Sequence, residues 1–147
     1  MASLLLEDLP QAVTALFARR ARHAGSTITE QVRAELIRIA ERPVAIDAVV
    51  RFVEQHRAPA PVIDAHATAL TTVYSLPANT WQVLCRRAAA SAQPVSDYVR
   101  HELVVAARNP TLDDVRAEFL DLQNANPDLP IDIDAVLASA RYARAMS

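Results

Sequence analysis

The chain has 147 residues, of which 52% are hydrophobic and 22% charged, and its formal net charge is −2. This composition excludes wholesale disorder and allows one ordinary domain or two very small ones sharing a core. One glycine against nine prolines points to helices punctuated by proline, not to sheets joined by glycine turns.

No apolar run has the length of a membrane span, and the N-terminus lacks a basic region followed by a hydrophobic one, so a cytoplasmic protein without a membrane partner is expected. Cys85 is the only cysteine, which leaves no internal disulfide; a small buried residue on a helix is its expected role. All fifteen basic residues are arginine. Residues 1–110 carry twelve of them against ten acidic residues, and residues 111–147 carry three against seven, so the C-terminal part is a distinct acidic segment.

In chain order, Ser3 to Leu9 reads as a short apolar strand ending at Pro10, which suits the first turn of a helix. Val13, Leu16, Phe17, Ala21 and Ala24 then recur at helical spacing. Gly25 stands where that helix should close in a left-handed residue, and Ser26, Thr27 or Thr29 can cap the next one. Val32, Leu36, Ile39 and Ala40 form the second stripe before Pro43, and Ile46, Val49, Val50 and Val53 form a third apolar helical face. Residues 57–65 are proline-rich and read as a linker.

Beyond the linker the pattern returns without a gap, 67 positions on. Pro10 falls on Pro77, Arg19-Arg20-Ala21 on Arg86-Arg87-Ala88, Val32, Arg33, Glu35 and Leu36 on Val99, Arg100, Glu102 and Leu103, Pro43 on Pro110, and Phe52 on Phe119. The second copy therefore predicts a strand over Leu70 to Leu76, a helix from Pro77 to about Ser91 and a helix from Ser96 to about Arg108. Val83, Leu84, Ala88, Val95, Val99, Leu103 and Ala106 take its core positions. One strand from each copy would pair into an intramolecular antiparallel ribbon on four core helices. The expected segments are 1–43, a helix and linker 44–66, 67–110, and a C-terminal arm 111–147. In the arm, Thr111 and Asp114 resemble a capping box, a helix runs through Phe119, and after an extended connector Asp132 or Asp134 caps a last helix, Ala135 to Met146.

Strand, Leu-Pro, arginine-bearing helix, short turn and a second helix with V-R-x-E-L together resemble the ribbon-helix-helix unit of VapB and FitA-type antitoxins. The tail NPTLDDVRAEFLDLQNANPDLPIDIDAVLASARYARAM is similar to their toxin-wrapping arm. Members usually carry one unit and dimerise; two units here imply a pseudo-dimer within one chain, with a higher oligomer possible once toxin binds. The resemblance implies two activities: neutralisation of a cognate PIN-domain ribonuclease through the arm, and repression of the chain's own operon through the ribbon. A ribbon-helix-helix regulator without a toxin partner, or a helical adaptor, are the other readings.

A ribbon fits the DNA major groove. Its outward set would be Ser3, Leu5 and Glu7 with Leu70, Thr72 and Tyr74, while Leu4, Leu6, Thr71 and Val73 face the helices. Backbone amides near Thr29 and Ser96 would hold phosphates. Glu7 opposes that, because a carboxylate is unfavourable beside phosphates. Arg19, Arg20, Arg86 and Arg87 are expected on a solvated face or paired with carboxylates, ahead of phosphate contact. Arg33 with Glu35 and Arg100 with Glu102 are expected to pair across the pseudo-twofold.

Toxin contact is expected from Leu112, Val115, Phe119, Leu129, Ile131, Ile133, Val136, Leu137 and Tyr142, with Arg141 or Arg144 entering the carboxylate cluster of the PIN active site. Phe119 equally suits the chain's own core. The four histidines show no metal-ligand spacing and a single glycine builds no phosphate loop, so no enzyme activity, cofactor or metal is expected.

Overall fold

The computed structural model describes residues 9–56, 63 and 65–146. The protein is mainly helical: α1 (Gln11–Ala24), α2 (Ile28–Glu41), α3 (Ile46–His56), α4 (Ala65–Val73), α5 (Ala78–Ala90), α6 (Val95–Arg108), α7 (Leu112–Ala125) and α8 (Ile133–Ala145), with no strand among the described residues. Moved on by 67 residues, α1 becomes α5, α2 becomes α6 and α3 falls within α7. None of the described helices is long and apolar enough to cross a membrane.

Local chemistry sets most of the helix ends. Gly25 closes α1 at φ 67°, in the left-handed region. Thr27 caps α2 by accepting from the Glu30 N–H at 3.1 Å. Pro77 and Pro94 precede α5 and α6, where a missing N–H costs nothing. Thr111 accepts from the Asp114 N–H at 3.1 Å while the Asp114 carboxylate accepts from the Thr111 N–H at 2.8 Å, a complete capping box on α7.

The helices interlock between the copies. α1 packs on α2 and α5 on α6 within each copy, but α1 also packs on α6, α2 on α5, and α2 on α6. The third helix of each copy crosses over: α3 lies on α5, and α7 lies on α1. The core they enclose holds Val13, Phe17, Val32, Leu36 and Ile39 from the first copy and Leu84, Ala88, Val95, Val99 and Leu103 from the second. These are stripes anticipated from spacing; Ala24 is exposed, and Ala40, Val83 and Ala106 are half-buried. Cys85 is buried, and burial pushes its thiol up.

The strand expected over Leu70 to Leu76 does not form. Ala65–Val73 is a helix whose turn continues to a Tyr74 N–H bond to the Leu70 carbonyl at 3.3 Å, and Ser75, at φ 49°, ends it. Ala67, Leu70 and Tyr74, three and four residues apart, enter the core together, and burial pushes the Tyr74 phenol up to about 12. Burying this stripe outweighs the β-propensity of the Thr71-Thr72-Val73 run. The alternating facing assigned to the segment is lost as well: Leu70 and Tyr74, expected outward, are buried, Thr71, expected inward, is exposed, Val73 is half-buried, and Thr72 is exposed as expected. The partner strand, Ser3 to Leu9, lies outside the described residues except for Leu9, which is in the core.

Candidate partner-binding site

The C-terminal arm is seated through α7, and arginines of α1 decide how. Arg20 grips Asp114 with Nε on Oδ1 and Nη2 on Oδ2, both at 2.6 Å, a two-pronged pair whose carboxylate is 4% exposed. Arg20 Nη1 also lies 3.4 Å from buried Glu35. Burial alone would push the Asp114 carboxyl up, but the Arg20 bonds and charge and the Thr111 N–H outweigh it and hold the group below the usual carboxylate range. Two turns along, Asp121 takes Arg19 at 3.2 Å, Arg22, and His23 Nε2 at 2.8 Å. Its carboxyl is likewise held low: the bond to His23 and the Arg22 charge overcome partial desolvation.

The same device occurs in the other half. Arg87, 67 residues after Arg20, holds Asp47, 67 residues before Asp114, with Nε at 2.9 Å and Nη2 at 3.1 Å. The Val44 N–H donates to Asp47 at 2.9 Å where the Thr111 N–H donates to Asp114. Arg86 meets Glu54 at 3.2 Å as Arg19 meets Asp121. Arg87 also donates to the carbonyls of Ile39 and Arg42, each at 2.8 Å. The four arginines therefore stand in intramolecular carboxylate pairs, the second of the two alternatives expected ahead of phosphate contact. Their acidic partners could have been found from sequence, since Asp47 and Asp114 share the 67-residue offset of the arginines.

The pairing expected for the V-R-x-E-L motifs is different in the structure. Glu35 joins Arg20 and, at 3.1 Å, Arg38 on its own helix, while Arg100 pairs with Asp97. One turn of helix brings Arg38 and Arg100 to their carboxylates more directly than a crossing between helices does.

With α7 fixed on α1, the expected contact residues of the arm lie along α7, α8 and the connector between them. Leu112, Val115 and Phe119 are half-buried on α7, and α8 packs on α7. Asp132 caps α8 by accepting from the Ala135 N–H at 3.1 Å. Ile133, Val136 and Leu137 are half-buried along α8, but no residue of α8 is buried. Leu129 is 47% exposed in the connector, where Ile131 is half-buried, and Tyr142 is 68% exposed. Arg141 is exposed, whereas Arg144 donates to the Pro110 carbonyl.

The DNA-reading candidates are not brought together. Ser3, Leu5 and Glu7 lie outside the described residues. Leu70 and Tyr74 are in the core, and Ser96 is fully buried in the first turn of α6. Thr72 is exposed and Thr29 half-buried in the first turn of α2. No family model, curated protein or solved structure matches the chain.

Proposed function

We propose that the chain is an antitoxin of the VapB/FitA kind that neutralises a PIN-domain ribonuclease through its C-terminal arm. The observation that carries this reading is the state of that arm: α8 buries none of its own residues, its apolar stripe Ile133, Val136 and Leu137 is only half covered, and Leu129 in the connector and Tyr142 on another side of α8 are exposed. A helix of this length is marginal alone in water, and apolar residues this incompletely covered suit a helix laid into a partner's groove. Arg141, exposed beside Tyr142, supplies a planar cation able to pair two-pronged with an active-site carboxylate and to exclude the divalent metal that the PIN active site holds.

The duplicated, crossed-over helix packing supports the finer reading of two ribbon-helix-helix units fused into a pseudo-dimer. The helical α4, standing where the second strand of the ribbon is expected, weighs against it in the free chain. Repression of the chain's own operon belongs to the same reading and rests on the resemblance.

The test is co-expression with a PIN-domain ribonuclease encoded in the same operon. A stable complex with suppressed RNA cleavage is expected, and Arg141→Ala should restore cleavage in part. Full ribonuclease activity at stoichiometric antitoxin would overturn the reading. For the operon half, a promoter fragment left unshifted by the complex even at low salt would remove operator binding.

A further inference from the structure

Helix periodicity gives α7 two working sides. At 100° per residue, Asp114, Ala117 and Asp121 share the side turned to α1, where the arginine pairs are. Leu112, Val115 and Phe119 fall on the opposite side, so α1 does not account for their half-burial. The other helix that packs extensively on α7 is α8. On α8 the half-buried residues are Ile133, Val136, Leu137 and Ala140, a single stripe at helical spacing, while Ala135, Ala138, Arg141 and Tyr142 on its other sides are exposed. The two apolar sets assigned to the partner are therefore turned toward each other.

Two further features define this closed pair. Residues 126–130, which join the helices and include Pro127 and Pro130, are all exposed, and a Leu129 N–H bond to the Asn126 carbonyl at 2.9 Å forms their single turn. At the far end of α8, the Arg144 guanidinium donates to the Pro110 carbonyl at the corner between α6 and α7. The hairpin is thus hinged at one end and fastened at the other, with shallow apolar contact between.

We infer that the α7–α8 hairpin is a self-closed form of the binding arm, in which α8 must swing off α7 before a partner is engaged and the Arg144–Pro110 bond is the latch. This rests on the antitoxin reading for the identity of the partner, but the closed form is a property of the free chain. Closing withholds both apolar surfaces from unrelated proteins. It also lowers the apparent affinity of the true partner by the fraction of chains that are open.

The test is hydrogen exchange of the α8 amides in the free full-length chain. The wild-type chain should protect residues 133–145 well beyond a free peptide of the same sequence. Arg144→Ala should raise their exchange about tenfold, as the charge-assisted bond to the Pro110 carbonyl is lost at an exposed site. Arg141→Ala should leave exchange unchanged. A thiol placed at Val115 in a Cys85→Ala background should react with a maleimide faster when Arg144→Ala is added. Exchange of wild-type α8 at the free-peptide rate would overturn the closed form, and unchanged exchange in Arg144→Ala would overturn the latch. Either failure leaves ribonuclease inhibition to be judged separately, and normal latch behaviour with no inhibition of the ribonuclease would sink the antitoxin reading alone.

Discussion

Arg20 reaches two carboxylates that water scarcely reaches, Asp114 at 4% exposure and Glu35 at 3%. Removing the guanidinium takes the two-pronged cation from Asp114 and leaves Glu35 to the more exposed Arg38, and depriving a buried charge of its partner costs far more than an exposed ion pair contributes. Arg20→Ala is therefore expected to lower unfolding stability by about 3 to 5 kcal/mol in urea titration. The two clamp carboxylates also set the acid limit. At Asp47 the hydrogen bonds from Arg87 are the main cause of a lowered pKa; at Asp114 the Arg20 bonds and charge and the Thr111 N–H overcome a burial penalty. A folded pKa below the unfolded one contributes stability above the unfolded value, near pH 4, that is lost as pH falls through the folded one. Urea midpoints should thus drop as the pH is taken below about 4, and Asp47→Asn with Asp114→Asn should flatten that part of the profile.

At the scale of elements, the short connections decide where each helix points. Gly25 sits at φ 67°, and a Cβ built there meets nothing within 4 Å, so the penalty for a side chain is purely one of backbone conformation. Gly25→Ala should cost about 1 kcal/mol, read as a shift in thermal midpoint with the fold unchanged. The capping box at Thr111 and Asp114 has a double duty, because the carboxylate that caps α7 is the one Arg20 grips. Helix start and helix docking are therefore coupled through one side chain, and the matching Val44–Asp47–Arg87 set does the same for α3. These ends were legible from Gly25, Thr27, Thr111 and Asp132 because capping is a contest between neighbours in sequence. Residues 70–76 were not legible in this way. Their β-branched run speaks for a strand, and only the core's demand for Ala67, Leu70 and Tyr74 on one side makes them helical.

Across the whole molecule, the third helix of each copy belongs to the other copy's surface, so neither half encloses its core alone. α8 stands apart from this exchange. Deleting residues 127–147 removes no buried side chain of α8 and uncovers only the outer side of α7, so a loss of about 1 to 2 kcal/mol is expected with cooperative unfolding retained. Extending the deletion to residues 110–147 removes Asp114 and Asp121 from α1 and should abolish the cooperative transition in thermal melts. The contrast between the two truncations separates the arm as a binding element from α7 as a structural one.

By itself the sequence determined that the chain is mainly helical and duplicated at a 67-residue offset, where most helices begin and end, and which apolar stripes α1, α2, α5 and α6 bury, whereas the apolar face read for α3 buries none of its residues. Periodicity, caps and proline placement act within a few residues and are written in local order. The crossing of Arg20 to Asp114 and of Arg87 to Asp47, which the shared offset only hints at, the helical state of residues 65–73 and the closing of α8 on α7 were decided by tertiary structure. Each depends on groups far apart in the chain, and the choice between alternatives is made by which buried charge finds a partner and which apolar side finds cover.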